Sequence, residues 1–357
     1  MSPLPVPESP DAITAGWLTA ALRETETIRT AAIESFTSET VGGRPGLIGN
    51  LLRVHPRYDR LEPGAPTSIV AKFPPSGDGW ARDLAPLGLT EVRAYRELTD
   101  PALLPVPAVH YSGLDPDSNR GVLLLEDMGD DRVVQQMAGC TFGQASLAVR
   151  SIAGFHAAHW DDARPSDHDW LAPLNSSYVG DRFRHWLGEY CGIWPDPVSG
   201  FAPRLIEHFD RLRAMLITPP QTIVHGDFHS QNMFFGTESG QRELTLIDFQ
   251  MIHLGCGAAD VSRFIATSLQ PELRRTIETA LLDEYHSSLE AAGVLEYDFD
   301  RCLLDFRAGL LWNLVSPLVL HIMRIVNTGG EWPAELPMLE RCMLAVRDWE
   351  AEDLFPG

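Results

Sequence analysis

Lysine is almost absent from this chain. Lys72 is the one lysine among 28 basic residues, and every other basic residue is an arginine. Because arginine supplies the positive charge everywhere else, we expect position 72 to need a compact ammonium group rather than a planar guanidinium. Chance retention of a single lysine is the alternative explanation.

Positive charge as a whole is also scarce. The chain carries 49 acidic and 28 basic residues, which gives a formal net charge of −21. Proteins that bind the phosphate backbone of nucleic acids need basic surfaces, so we expect no nucleic-acid partner. The acidity favours a cationic or neutral substrate, although acidity that only maintains solubility explains it equally well.

Paired cysteines, a targeting segment and a long apolar run are missing too. The 5 cysteines are scattered and none has the Cys-x-x-Cys spacing, which argues against disulfides or a zinc ribbon and favours the reducing cytoplasm. The first residues lack the basic and apolar regions of a secretory signal. The strongest apolar run, 308–323, is short and interrupted by Asn313, Pro317 and His321. We therefore expect a buried helix there, with no membrane partner.

The length of 357 residues suits two lobes, because one compact core rarely grows so large. An apolar run at 122–125 stops abruptly at Glu126-Asp-Met-Gly129. We predict the boundary there, with lobes over residues 1–126 and 127–357. The first lobe begins with an amphipathic helix after Ser9.

The stretch from residue 223 to residue 250 concentrates the candidate chemistry. Two apolar runs, 233–235 and 244–247, flank a polar turn and predict a hairpin. Closing the hairpin would gather Asp227, Asn232 and Asp248 at one end. Two carboxylates and an amide oxygen suit a hard divalent cation, with one group left as a base. The stretch therefore predicts a magnesium-dependent phosphoryl-transfer centre.

A metal-dependent hydrolase is a second interpretation of the same stretch. His225, Asp227 and His229 alternate as strand residues would, and His253 could complete a metal cluster. This interpretation leaves Lys72 and Asn232 without roles.

Lys72 lies in a short strand-like run, 67–73, that ends at two prolines. A helix predicted over about 90–99 places Glu91 on the same stripe as Tyr95 and Leu98, so Glu91 is expected to face the sheet. A carboxylate on a packed face is stabilised by a cationic partner, and we expect Lys72 to be that partner. The alternative is a solvent-exposed Glu91 that pairs with Arg93.

A glycine-rich turn between two predicted strands is the remaining candidate. Its Gly43 and Gly46 could let backbone N–H groups approach a phosphate, although such hairpins are more often simple turns.

Between residues 160 and 201, many aromatic side chains stand among acids, which fits either a lid over an organic substrate or a helical core.

His225-Gly-Asp-Phe-His-Ser-Gln-Asn232, followed by Ile247-Asp-Phe-Gln250, resembles the aminoglycoside phosphotransferase and choline kinase superfamily. The Asp-Phe-Gln ending and the Leu-Leu-Leu-Glu-Asp-Met segment at 123–128 are closest to its ecdysteroid-kinase-like branch. The resemblance extends from Trp17 to about Phe264. It implies an α+β, two-lobed protein-kinase-like fold, with a small antiparallel-sheet N-lobe and a larger, mainly helical C-lobe.

The resemblance also implies roles for the candidates. Asp227 would be the catalytic base or orienter, and Asn232 and Asp248 would bind Mg²⁺. Lys72 would hold the phosphates of ATP, or of GTP as an alternative, with Glu91 fixing its ammonium. The glycine-rich turn with Gly43 and Gly46 would cover the phosphates, and the backbone near Glu126 and Met128 would face the base of the nucleotide.

The expected activity is transfer of a γ-phosphoryl group to a hydroxyl of a small organic molecule such as an antibiotic, sugar, amino alcohol or sterol-like metabolite.

Two departures from the pattern stand out: Gly43-Arg-Pro-Gly46 is not a regular glycine-rich loop, and His229 stands where the branch often has tryptophan. A non-catalytic nucleotide-binding module of the same fold is the other alternative.

Overall fold

The computed structural model describes residues 4–41, 50–74, 80–100, 102–115, 117–118, 120–129, 132–161, 168–171, 173, 184–185, 188–189, 199–218, 220–236, 242–328 and 336–355. The chain contains two compact units. The first consists of Met1–Arg132 and Thr245–Met251, and the second of Val133–Leu244 and Ile252–Gly357. Each unit is thus built from two separate stretches of sequence.

The first unit contains an antiparallel five-stranded sheet in the order β1-β2-β3-β5-β4. In chain order its elements are α1 Ala15–Glu24, β1 Ile33–Thr40, β2 Asn50–Tyr58, β3 Ile69–Phe73, α2 Trp80–Glu97, β4 Val109–Asp115 and β5 Arg120–Glu126. Strands β3 and β5 are neighbours although they are not consecutive in the chain, because the connection after β3 contains α2 and leads to the edge strand β4. Strand β3 lies at the centre of the sheet, between β2 and β5.

The alternation of side chains along β3 divides its residues between the two faces of the sheet. Ile69, Ala71 and Phe73 are buried in a core shared with Leu18 and Leu22 of α1. Successive side chains of a strand point to opposite faces, so Lys72 points away from that core. Helix α1 begins after Thr14, whose Oγ1 accepts the Trp17 N–H at 3.1 Å.

Helix α2 is longer than predicted. The sequence predicted a helix over about 90–99, whereas α2 spans Trp80–Glu97. The sequence does not indicate the early start, because Pro86 and Gly88 interrupt the helical pattern there. Gly88 allows a close approach, since a Cβ at this position would lie 2.6 Å from Cβ of Pro74.

The second unit is mainly helical. Its helices are α3 Phe142–Ala158, α4 Ala202–Glu207, α5 Phe209–Leu216, α6 Ala258–Ser268, α7 Pro271–Ala291, α8 Phe299–Thr328 and α9 Leu336–Asp348. Strands β6 Thr222–Val224 and β9 His253–Gly255 pair antiparallel. Two further strands are β7 Met233–Phe235 and β8 Leu244–Leu246. Between them the Gly236 N–H donates to Glu243 O at 2.9 Å, as the predicted hairpin requires.

Helix α6 lies at the centre of the second unit, because every one of its residues is buried. It packs closely on α8, where a Cβ added at Gly309 would lie 2.8 Å from Cα of Ala259. Burying a helix on all sides also buries its polar side chains, Asp260 and Arg263 among them. In the part of the chain that the structure describes, no helix is both long and apolar enough to cross a membrane.

Candidate active site

Lys72 is held between two carboxylates in the first unit. Its Nζ lies 2.7 Å from Glu91 Oε2 and 2.8 Å from Asp248 Oδ1. Glu91 reaches it from α2, and Asp248 reaches it from the Thr245–Met251 segment of this unit. The contact expected between Lys72 and Glu91 is therefore present, with Asp248 as a second carboxylate.

The charges of this cluster are coupled by burial. Burial lowers the pKa of Lys72, but the Asp248 and Glu91 carboxylates outweigh it and hold that pKa above its ordinary value. Burial raises the pKa of Glu91 to about 7, against the opposing effect of the Lys72 ammonium. The lysine therefore stays an ammonium cation at neutral pH, which suits it to bind phosphate oxygens and not to act as a base.

Asp248 has an unusual backbone conformation. Its φ of 72° lies in the left-handed region, which costs free energy for most residues but is tolerated by aspartate. Two neighbours hold this segment: Phe249 packs edge-on against Tyr95 of α2 at 5.2 Å between ring centroids, and Gln250 Nε2 donates to Asp248 Oδ2 at 3.4 Å. Strain of this kind collects at functional sites.

The segment after β5, Glu126 to Gly129, is fixed by Asp127. The Asp127 carboxylate accepts hydrogen bonds from Arg53 Nε at 2.8 Å, Ser68 Oγ at 2.6 Å and the Gly129 N–H at 3.0 Å. Glu126 N–H donates to Ala108 O at 2.8 Å. Asp127, which fixes the backbone between Glu126 and Gly129, was not among the residues predicted from the sequence.

In the second unit, α6 anchors the loop that carries Asp227. Asp260 accepts the His225 N–H through Oδ2 at 2.7 Å and the Gly226 N–H through Oδ1 at 2.9 Å. Gly226 has a φ of 80°, a conformation that glycine adopts at little cost. His156 Nε2 lies 3.3 Å from Asp260 Oδ2, and its Nδ1 lies 2.9 Å from the Tyr285 hydroxyl. Asp260 thus fixes the backbone of this loop at two successive residues.

Asp227 is surrounded by positive and polar groups of the second unit. Arg263 Nη2 forms an ion pair with its Oδ1. On the other oxygen, Oδ2, His229 Nε2 lies at 3.4 Å and Asn232 Nδ2 donates at 3.2 Å. Arg263 was not among the residues predicted from the sequence, although its spacing of three from Asp260 on a helix places both on one face.

Burial would raise the pKa of Asp227, but the Arg263 guanidinium, followed by His229 and His225, outweighs it. The pKa of this carboxyl therefore lies far below its ordinary value. A carboxylate so strongly stabilised is a weak base, so it can accept a hydrogen bond from a hydroxyl and orient it over the whole working pH range.

Asn232 is oriented with its amide nitrogen toward Asp227. Its Nδ2 donates to the Asp227 backbone oxygen at 2.9 Å as well as to the carboxylate. The Asn232 carbonyl oxygen is thereby turned away from Asp227. An amide oxygen presented in this way, like the carboxylate of Asp248, belongs to the hard oxygen donors that Mg²⁺ prefers. The donor types therefore fit the predicted ion.

The hydrolase interpretation lacks a preformed cluster. Among the described residues, which include His225, Asp227, His229 and His253, no three or more His, Cys, Asp or Glu side chains are arranged to hold a metal ion. His225 Nδ1 instead accepts the Asp227 N–H at 3.2 Å.

A pocket of the second unit is lined by Gly226 of the loop and Asp260 of α6, and Trp312 and Asn313 of α8 contribute to its wall. The glycine-rich turn with Gly43 and Gly46 lies outside the described residues, as do most of the aromatic residues between 160 and 201.

Comparison with known proteins places these sites in context. Residues 195–296 match the Ecdysteroid kinase-like family. An uncharacterized protein of Synechocystis sp. is 39% identical over 70 residues, a stretch that covers 20% of this chain and 19% of that protein.

Solved structures share the fold over nearly the whole chain. Wild-type aminoglycoside 2'-phosphotransferase-IIIa, in complex with GDP, matches with a TM-score of 0.52 at 15% identity and covers 94% of this chain and 98% of its own. Choline kinase from Cryptosporidium parvum Iowa II matches with a TM-score of 0.52 at 11% identity, covering 89% of each chain. Plasmodium vivax ethanolamine kinase matches with a TM-score of 0.54 at 9% identity, covering 96% of this chain and 89% of its own.

Likeness at such low identity establishes the fold. The predicted α+β, two-lobed kinase-like fold is confirmed. The match of residues 195–296 supports the predicted resemblance to the ecdysteroid-kinase-like branch of the aminoglycoside phosphotransferase and choline kinase superfamily.

Proposed function

Since the chain has a kinase-like fold and matches the Ecdysteroid kinase-like family over residues 195–296, we propose that it transfers the γ-phosphoryl group of ATP to a hydroxyl of a small organic molecule. The observation that carries this proposal is the Lys72 ammonium held at 2.7 Å from Glu91 and 2.8 Å from Asp248. Lys72 is the one lysine of the chain, and two carboxylates hold its ammonium in place. We expect this arrangement to bind a highly charged ligand such as a nucleotide phosphate.

In the proposed mechanism, Lys72 binds the phosphates of the nucleotide, and Glu91 keeps its ammonium from turning away. Asn232 and Asp248 are the proposed ligands of Mg²⁺, which when bound neutralises the charge that develops on the phosphates. The segment from Glu126 to Met128, ordered by Asp127, is proposed to meet the base of the nucleotide. The complexes of relatives with GDP support nucleotide binding, and GTP is the alternative donor.

Asp227 is proposed to orient the acceptor. Its carboxylate accepts a hydrogen bond from the acceptor hydroxyl. As the acceptor oxygen bonds to the γ-phosphorus, the bond to the bridging oxygen breaks and the nucleoside diphosphate leaves with the electron pair. The hydroxyl proton passes to Asp227 late in this process, because a loose transition state needs little help from a strong base.

The single lysine gives a direct test of the nucleotide site. An acyl-phosphate derivative of ATP transfers its acyl group to a lysine held against its phosphates, and in this chain an acylated lysine can only be Lys72. We expect labelling of the Lys72 peptide, detected by mass spectrometry, and its suppression by ATP with Mg²⁺. Labelling that neither ATP nor GTP suppresses would overturn the proposal.

Catalysis is tested separately with a panel of hydroxylated antibiotics, sugars, amino alcohols and sterols. Phosphorylated product is expected from the wild-type protein and not from the Asp227→Ala variant, whose Lys72 is still labelled. Labelling without phosphorylated product or nucleotide turnover would favour the non-catalytic binding module. Full activity of Asp227→Ala would show that the assigned mechanism is wrong.

A further inference from the structure

Arg263 is buried with incomplete hydrogen bonding. Its Nη2 forms the ion pair with Asp227, whereas its buried Nε and Nη1 contact no acceptor among the described residues. The side chain is 6% exposed, so bulk water does not replace the missing partners. Buried polar groups are otherwise almost always hydrogen-bonded, because leaving them unpaired is costly.

Arg274 shows how a structural arginine is buried in the same unit. Its side chain is 2% exposed, with Nη1 paired to Glu278 and Nη2 paired to Asp348. Two carboxylates therefore compensate its charge from two sides. Among the residues that the structure describes, Arg263 has one carboxylate for the same charge. Residues that break a packing rule in this way tend to be functional.

The contact of Arg263 with Asp227 is also one-sided. Arginine commonly binds both oxygens of a carboxylate in a fork. Here it takes Oδ1, while Oδ2 remains on the side of Asn232 Nδ2 at 3.2 Å and His229 Nε2 at 3.4 Å. The two oxygens of Asp227 are thus assigned to different neighbours.

We propose that Arg263 is a positioning residue: by holding Oδ1 it turns Oδ2 of Asp227 toward the acceptor hydroxyl. The inference rests on the function proposed above. Helix α6 then fixes the loop twice within one turn, through Asp260 on the backbone of His225 and Gly226 and through Arg263 on the Asp227 side chain. Arg263 touches no reacting atom and acts through Asp227.

The test uses the slow hydrolysis of ATP, in which water takes the place of the acceptor, and phosphoryl transfer once an acceptor is found. We expect Arg263→Gln to lower kcat by up to about 100-fold, since small misplacements of a catalytic group cost that much, with KM for ATP unchanged. Arg263→Lys, which keeps the charge and a donor, should restore part of kcat.

A double-mutant cycle separates positioning from mere structure. In the Asp227→Asn background, Arg263→Gln should lower kcat no further, because the residue it positions is already lost. The melting temperature gives a second readout that does not depend on activity. Arg263→Gln should lower it more in the wild-type protein than in the Asp227→Asn background, since only the former is left with an uncompensated buried carboxylate.

Arg274→Gln is the matched control, because it removes a buried, ion-paired arginine away from Asp227. It should lower the melting temperature and leave kcat unchanged. Wild-type kcat in Arg263→Gln, or an equal loss in both backgrounds, would overturn the inference while the proposed function stands. Absence of nucleotide turnover and of transfer in the wild-type protein would overturn the proposed function, and this inference with it.

Discussion

Asp260→Asn should destabilise the second unit, because it removes one of the two hydrogen bonds by which Asp260 holds the backbone of the Asp227 loop. The carboxylate is buried and accepts N–H groups from His225 at 2.7 Å and from Gly226 at 2.9 Å. An asparagine keeps the shape but has one acceptor oxygen, so its amide nitrogen must face one of the two N–H groups. Removing one charge-assisted bond and weakening the other gives a loss of about 2–4 kcal/mol in the free energy of unfolding.

The loss is measured as the shift of the urea unfolding midpoint, with the slope of the transition unchanged. It should be largest at neutral pH. Burial raises the pKa of Asp260, but His156, His225 and the Gly226 N–H outweigh it, so that the pKa lies below its ordinary value. The stabilisation by the carboxylate is therefore complete above the pKa of the unfolded chain and is lost as pH falls through the folded pKa. The variant and the wild-type protein should converge in strong acid.

Asp305→Asn is the matched control for activity. Asp305 is another buried aspartate of the second unit and accepts from the Tyr297 hydroxyl at 3.0 Å and from Arg301 Nε at 2.8 Å. Both variants should lose stability, but only Asp260→Asn should lose kcat, because only that side chain holds the loop. A loss below about 1 kcal/mol for Asp260→Asn, or an equal effect of both variants on kcat, would refute the reasoning.

Three further outcomes are expected. Glu91→Gln should raise the ATP concentration that half-suppresses acylation of Lys72 roughly tenfold, equivalent to about 1.4 kcal/mol, because Asp248 alone then orients the ammonium toward the phosphates; an unchanged half-suppressing concentration, followed by mass spectrometry, would contradict this. Glu62 accepts the N–H groups of Ala31, Thr30 and Arg29, which lowers its pKa from 4.5 to about 2. Its stabilising effect is complete above pH 4.5 and is lost toward pH 2, so melting temperatures of Glu62→Gln and the wild-type protein should differ at neutral pH and converge near that limit. Burial raises the pKa of Cys140 and Cys302 to about 12 and that of Cys342 to about 11. A thiol reagent should therefore leave these cysteines unmodified until the protein is unfolded, and rapid reaction of any of them in the native protein would show that its burial is wrong.

The parts of the site that could be predicted from sequence depend on short-range periodicity. Lys72 faces away from the α1 core because strand side chains alternate, and Glu91 shares a helical stripe with Tyr95. These two rules, together with the absence of any other lysine, were enough to predict the contact between Lys72 and Glu91. The hairpin after Asn232 was predictable for a similar reason, since turn residues separate two apolar runs.

The contacts that were missed join residues that lie far apart in sequence, on different secondary-structure elements. Arg263 meets Asp227 across 36 positions, and α6, on which it lies, is buried on every side. Because this helix is buried on all sides, its sequence does not show which buried element its polar side chains contact. Asp127 was missed likewise, because its partners Arg53 and Ser68 come from β2 and from the segment before β3. The grouping of Thr245–Met251 with the first unit also follows from tertiary packing alone.

The left-handed backbone at Asp248 limits which amino acids this position can accept at all. Glycine and asparagine adopt a φ near 72° readily, whereas valine, isoleucine and threonine would clash with their own backbone. Asparagine is therefore the replacement that removes the charge while preserving chain geometry. Alanine or a β-branched residue would remove the carboxylate and also distort the backbone after β8, so the two effects could not be separated. Among all substitutions at this position, glycine and asparagine should accordingly preserve the melting temperature best, whatever their activity.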